Sequence, residues 1–371
     1  MKILCVIDSL GSGGAQNQMT ILISNLAKLG YSIDLFTYYS IDFFNYRIND
    51  NKNIKRIIKE KRDKFGLLTI LSIIKILNRN KYDFAISYLN TPNFYLSIAK
   101  IFCVHKRTVF ITSERNTTNF NKSKLLIQKK ITHILSDFLI CNSFHEADAW
   151  KRNFPCIKDK ISTIYNGVSS DLFSLKRNNL TFKMKMVCVA SLIPRKNAEF
   201  IVEALYLLKY KFNFIIHFTW IGQRFANGQN GKYFTKVSNL ISNYQLDGQW
   251  KWMDPQKNIE NILVDFDALI LASNKEGVPN VICECLALGL PVFASNSLDN
   301  PFLIGNSERG YLFETNSPES LALTILNFYS LSKDSLETLI NNQRQFAKIH
   351  LANEVMLENY NNFFNQNKKC H

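Results

Sequence analysis

A chain of 371 residues with 46% hydrophobic and 20% charged content is long for one core and comfortable for two domains. No run reaches eighteen uncharged apolar residues, which argues against a spanning helix, and the five apolar residues before Asp8 are too few for a signal peptide. The net charge of +15 is uneven: residues 1–168 hold 25 Lys and Arg against 12 Asp and Glu, and residues 169–371 hold 20 against 18. A cytoplasmic globular protein with a basic first half is expected.

The opening "MKILCVIDSL" reads as a buried first strand, and "SLGSGGAQ" (9–16) as a tight loop before an amphipathic segment. Gly11, Gly13 and Gly14 there let backbone approach a ligand closely. The spacing is not G-x-G-x-x-G, and no acidic residue ends a second strand at the right distance, which disfavours a nicotinamide dinucleotide. Residues 51–77, "NKNIKRIIKEKRDKFGLLTILSIIKIL", then place seven basic residues before an apolar helical run. Nucleic acid, an anionic membrane surface and a merely solvated basic face all suit such a run. Further on, "YDFAISY" (82–88), "SDFLICNS" (136–143) and "FDALILAS" (266–273) each set an Asp before a short apolar run ending near Ser. Such runs alternating with helical stretches indicate parallel sheets with crossover helices, whose ligands lie beyond the carboxyl ends of the strands.

"MKMVCVASLI" (184–193) repeats the pattern of the chain start and passes into the loop "IPRKN" (193–197). Two Rossmann-like halves are therefore expected: a first domain over 1–168, a polar linker, a second domain over 184–340, and a C-terminal helical stretch over 341–371 packing back on the first. Helix is expected from about Ser335 to Phe364. Cys5, Cys141 and Cys188 sit in strand-like runs as small hydrophobes. Cys283 and Cys285 are spaced C-x-C, which is not a metal or redox pair. His133, His145 and His217 lack ligand spacing, and "DFD" at 265–267 reads as the lead into a buried strand rather than a metal-binding pair. No metal and no cofactor are expected.

The chemistry concentrates in "EGVPNVICECLALGLPVFAS" (276–295). Pro279 suits the first position of a helix, whose missing N–H would have no partner there, and Gly289 suits its end. Val278, Pro279, Asn280 and Val281 then form a helix N-terminus after a strand, an anion site best matched by phosphate. Glu276 precedes it, and Glu284 interrupts an apolar run. A buried carboxylate needs donors, which a ribose diol or a sugar supplies. From this stretch alone, two surface glutamates explain the pattern equally well.

"EGVPNVICE" resembles the E-x7-E element of the retaining glycosyltransferases of family 4, which have the GT-B fold. "LALGLPVFAS" and "GYLFETNSPESLA" (310–322) are similar to that family's later strands, and "ASLIPRKN" (190–197) to its diphosphate-binding loop. "NGV" (166–168) matches the end of its first domain, "SLGSGGAQ" its glycine loop, and "TSERN" (112–116) a segment of bacterial polysaccharide transferases. Each motif is weak alone, but the ordered set covers almost the whole chain. Two departures stand out. Ser191 occupies a position where the family often has Arg, with Arg195 beside Lys196, and Arg115 lies nearest the position of a His that many members place near the transferred sugar.

The resemblance implies an α/β GT-B architecture, two Rossmann-like doubly wound domains facing across a cleft. It implies retaining, metal-free transfer of a hexose or N-acetylhexosamine from a nucleotide sugar, a UDP-sugar in the first instance. Lys196 and Arg195 would bind the diphosphate with Gly13, Gly14 and the backbone of 278–281. Glu276 would orient the sugar, Glu284 would hold the ribose, and Arg115 would stand near the reacting centre. The basic half suggests a polyprenyl-diphosphate-linked saccharide acceptor at the inner membrane face, in O-antigen or capsule assembly, with peripheral attachment and no nucleic-acid partner. A nucleotide-sugar 2-epimerase of the same fold remains open, as does a nucleic-acid-binding protein or DNA glucosyltransferase.

Overall fold

The computed structural model describes residues 1–121, 123–175, 182–305 and 307–369. The chain divides into two compact units, Met1–Gly167 with Asn353–His371, and Val168–Ala352. The polar linker expected between the halves includes residues 176–181, which lie outside the described residues.

The first unit runs β1 (Lys2–Val6), α1 (Gly14–Lys28), β2 (Ser32–Thr37), β3 (Ile54–Ile58), α2 (Leu67–Arg79), β4 (Phe84–Tyr88) and α3 (Asn90–Ile101). It continues with β5 (Val109–Glu114), α4 (Lys124–Leu135), β6 (Phe138–Cys141), α5 (Phe144–Asn153) and β7 (Ile161–Thr163). Its strands form one parallel sheet in the order β3-β2-β1-β4-β5-β6-β7. The second unit runs β8 (Lys185–Val189), α6 (Ala198–Tyr210), β9 (His217–Ile221), α7 (Gly228–Asn243), β10 (Trp250–Met253), α8 (Ile259–Leu263) and β11 (Ala268–Leu271). It ends with α9 (Asn280–Leu288), β12 (Val292–Ser295), α10 (Asn300–Ile304), β13 (Tyr311–Phe313), α11 (Pro318–Tyr329) and α12 (Lys333–His350). These strands are parallel in the order β10-β9-β8-β11-β12-β13. A final helix, α13 (Asn353–Asn367), belongs to the first unit.

The Asp before each apolar run has a structural purpose. Asp83 accepts the Lys2 N–H at 2.8 Å, Asp137 the Phe110 N–H at 2.8 Å, and Asp267 the N–H groups of Lys183 and Lys185 at 2.9 Å. Each carboxylate thus braces the start of the neighbouring strand, where a backbone donor would otherwise lack a ladder partner. The C-terminal stretch differs from the single helix expected over 335–364. Leu351 and Ala352 leave the helical path because Val168 donates to the Leu351 carbonyl at 2.8 Å and bridges Ala352 in parallel. After this break Met356, Tyr360, Phe363 and Phe364 bury against β1, β2, β4 and α1.

In an open parallel sheet, ligands bind beyond the carboxyl ends of the strands where the strand order reverses. Those points are β1/β4 in the first unit and β8/β11 in the second.

Candidate active site

In the second unit, the reversal between β8 and β11 brings together three of the expected residues. The loop after β8 coils into a short 3-10 turn, Pro194–Lys196, and Asn197 follows at φ 55° to open α6. The Arg195 carbonyl accepts the Asn274 N–H at 2.9 Å, which ties this turn to the loop after β11. Across that tie Lys196 Nζ is ion-paired with Glu276 Oε1, and Arg195 reaches Glu276 Oε2 at 3.4 Å and the Lys275 carbonyl at 3.1 Å. Glu276 and Lys196 are 10% and 13% exposed and Arg195 40%, so a solute can reach the pair from the Arg195 side. Burial pushes the Cys188 thiol beneath them up to about 12, with the charge of Lys196 opposing and that of Glu276 adding.

Helix α9 begins four residues after Glu276. Pro279 stands one residue earlier than expected, as the extended N-cap (φ −70°, ψ 118°), and Asn280 is the first helical residue. The first turn carries no acidic side chain, so its positive dipole end is not neutralised from within the helix. Val278 and Val281 are buried, and Asn280 between them is half-buried. Glu284 sits half-buried in the second turn. At the other end, Gly289 adopts φ 71°, and a Cβ there would press on Ile340 and Arg344 of α12. Two cations, one carboxylate and a helix start thus gather at the carboxyl ends of β8 and β11, with Glu284 in the second turn of that helix. This set can hold a diphosphate and donate to charge that grows on it.

Gly13, Gly14 and Arg115 lie in the first unit. Gly13 is the extended N-cap of α1 and Gly14 its first residue. The preceding loop is fixed by Asp8, which accepts the Ser9 N–H at 2.6 Å and the Gln16 amide at 2.9 Å. Asp8 and Gln16 escaped the sequence reading, although an acid closing a strand before a glycine loop was a usable signal. Arg115 is buried. Its guanidinium lies 3.6 Å from the centre of the Tyr88 ring and donates to Asn166 Oδ1 at 2.8 Å and the Tyr360 hydroxyl at 3.1 Å.

Thr112, Ser113 and Glu114 of "TSERN" are likewise consumed by the fold. Glu114 accepts from Lys129 at 2.6 Å and His133 at 2.9 Å, while Thr112 meets the other nitrogen of the His133 ring at 3.0 Å. Lys129 also donates to the Thr118 hydroxyl at 2.8 Å. Glu146 accepts the Thr118 N–H at 2.9 Å and the Trp150 indole N–H at 2.9 Å. Burial pushes the Glu114 carboxyl up, but Lys129 and His133 outweigh it and hold the group below its usual range. Glu146 is raised, by burial first and then by the charge of Glu114. Asp265 and Asp267 are engaged too, the first by Lys183 at 3.1 Å and the second by the strand brace and the Tyr329 hydroxyl at 3.0 Å. Among the described residues no cluster of three or more His, Cys, Asp or Glu could hold a metal ion.

Two parallel α/β sheets, with a cation-lined switch point in the second, make up the architecture of the GT-B fold. Residues 12–172 match the family described as Glycosyltransferase Family 4, and residues 175–346 match Glycosyl transferases group 1. The chain belongs to the family 4 glycosyltransferases. It is similar to WcaL of Salmonella typhimurium, named as a colanic acid biosynthesis glycosyltransferase, at 25% identity over 213 residues (54% of this chain and 50% of WcaL). The chain spans about half the length of the curated relatives it matches first. Its fold superposes on a glycosyltransferase from Rickettsia africae with TM-score 0.80 at 19% identity, over 100% of this chain and 99% of that one. It superposes on Anabaena HepE, solved in complex with UDP, with TM-score 0.82 at 15% identity, over 99% and 100%.

Proposed function

We propose that the protein moves a sugar from a UDP-sugar to a polyprenyl-diphosphate-linked saccharide, with retention at the anomeric carbon, in assembly of a surface polysaccharide. The observation that carries this reading is the convergence of Arg195, Lys196 and Glu276 beside the start of α9. As the bond from the anomeric carbon to the β-phosphate oxygen breaks, the departing diphosphate gains charge. Lys196 and Arg195 donate to it, and the α9 N-terminus adds its dipole. Such preorganised donors usually supply the largest share of a rate. Glu276, which pairs with both cations, accepts from hydroxyls of the sugar. Glu284 takes the ribose.

Support for the donor comes from HepE, which was solved with UDP and with UDP-glucose. Support for the setting comes from relatives named for colanic acid, amylovoran and capsular polysaccharide biosynthesis. No helix among the described residues is long and apolar enough to cross a membrane, so a lipid-linked acceptor would be met by peripheral attachment. The basic first unit suits that role, at the inner face of the cell membrane. Incubation with a panel of UDP-sugars and lipid-diphosphate saccharides tests the reading. A product one sugar heavier, with the donor's anomeric configuration, is the expected result. Epimerised free UDP-sugar without acceptor, or transfer to DNA, would replace the reading with one of its rivals.

A further inference from the structure

Helices α2, α3 and α4 lie side by side on one face of the first sheet, α3 between the other two. None of the three contains an Asp or Glu. Between residues 64 and 136 the acids are Asp83 and Glu114. The first braces Lys2 and pairs with Lys368, and the second is buried against Lys129 and His133. Neither offers negative charge to an approaching surface.

The same helices turn large apolar side chains to solvent. Phe65 and Leu68 at the start of α2 are 75% and 53% exposed, and Leu71 one turn on is 59% exposed. On α4, Ile127, Ile131 and Ile134 are 44–60% exposed and fall at i, i+4 and i+7, one stripe of a helix. Single exposed apolar residues need no explanation, but a helix normally turns such a stripe to a core. Lys64, Lys75 and Arg79 flank the α2 residues, and Lys124 and Lys130 flank the α4 stripe. Asp63 just before the tip is engaged as a cap on α2, accepting the Leu67 N–H at 2.6 Å, and apolar tips interleaved with an excess of cations match a surface that is anionic outside and hydrocarbon within. A nucleic acid would satisfy the cations and leave the isoleucine stripe in water. A second copy of this face would bring like charges together.

We propose that the outer face of the α2–α3–α4 layer is the docking surface for an anionic lipid bilayer, with Phe65, Leu68, Leu71 and the α4 stripe entering the headgroup boundary. This deepens the peripheral attachment proposed above and rests on that reading only for the acceptor being lipid-linked. Because α2 starts at the carboxyl end of its sheet, the tip stands on the same edge as the Gly13–Gly14 loop.

Sedimentation with phosphatidylglycerol/phosphatidylcholine vesicles, against pure phosphatidylcholine, tests this on the full chain. The wild type should bind the anionic vesicles, and the double variants Leu68→Ser/Leu71→Ser and Ile127→Ser/Ile131→Ser should each lose roughly tenfold or more in partitioning. UDP affinity, read by calorimetry on the same samples, should be unchanged, and a thermal unfolding transition like that of the wild type, followed by circular dichroism, shows that the variants are folded. Should a serine variant misfold, Leu71→Trp should show a blue shift and quenching by brominated lipid. The docking proposal is overturned if the wild type ignores anionic vesicles or the double variants bind them as the wild type does. It is equally overturned if the wild type is a dimer that these variants split without change in vesicle binding. Loss of UDP binding in the wild type would sink the transferase reading and leave vesicle binding as a separate result.

Discussion

Near the strand ends of the first unit, cations are consumed by the fold: Arg115 is sandwiched between Tyr88, Asn166 and Tyr360, and Lys129 is locked between Glu114 and Thr118. At the strand ends of the second, Lys196 and Arg195 share a single carboxylate at an edge that solvent reaches. Both units are parallel sheets with crossover helices, so the fold does not dictate the difference. What separates them is whether the paired charge has other partners. A guanidinium with two buried hydrogen bonds and a ring beneath it is costly to extract. A partly exposed lysine on one carboxylate can exchange that partner for a phosphate. The first unit keeps its spare charge on the outside, and the second keeps it at the switch point.

The most severe break in this comparison is Glu114→Gln. It leaves Lys129 buried without its counter-charge, which should destabilise the first unit by about 3–5 kcal/mol in a denaturant titration. The pH dependence has a fixed sign. The Glu114 carboxyl is depressed in the fold, so its stabilisation is complete above the unfolded value of about 4.3 and is lost as pH falls through the folded value. Glu146 works the other way, because its raised carboxyl gains its proton earlier in the folded state and offsets part of that loss. In Glu114→Gln the acid-side decline should therefore flatten. A variant as stable as the wild type would show that the network holds nothing together.

Next comes Lys196→Ala. Transfer should fall by roughly 10²–10³-fold, the loss expected for one donor to developing charge, while the unfolding midpoint stays put. Arg195→Ala, removing a more exposed group at a longer distance, should cost less, about tenfold. Wild-type turnover in Lys196→Ala would remove the pair from the mechanism.

The architecture was legible in sequence because its signals are local. Asp before an apolar run marked β4, β6 and β11, and Gly289 marked the end of α9. The pairing of Lys196 with Glu276 was not legible, since it spans 80 positions and depends on β8 and β11 lying side by side. Arg115 shows the converse limit. Its place in a recognisable motif suggested chemistry, whereas its contacts with Tyr88 and Tyr360 come from residues 27 behind and 245 ahead in the chain. The break between α12 and α13 was hidden for the same reason. No proline or glycine marks Leu351–Ala352, and the partner that pulls them out of the helix is Val168.

Arg115→Ala sharpens the contrast between the units. Losing the ring contact and two buried hydrogen bonds should cost about 2–3 kcal/mol of stability, with UDP affinity intact because the donor residues argued for lie in the other unit. Unchanged stability with abolished transfer would instead move Arg115 into the chemistry.

The smallest effect should separate two cations only three residues apart. Arg56, on edge strand β3, is paired with Asp42 and donates to Asn45 Oδ1 at 3.0 Å, whereas Lys59 just beyond the strand is exposed. A basic edge strand also has a plain purpose, since lysines there discourage pairing with another sheet. If charge on this side serves the bilayer, Lys59→Ser should weaken binding to anionic vesicles by about 1 kcal/mol, an effect that fades as salt rises. Arg56→Ser should leave vesicle binding nearly unchanged and cost less than about 1 kcal/mol of stability, as for a partly exposed ion pair. Equal effects of the two on vesicle binding would mean that net charge alone, not its availability, attracts the membrane. No effect of Lys59→Ser at low salt would leave this strand with edge protection as its purpose and confine docking to α2 and α4.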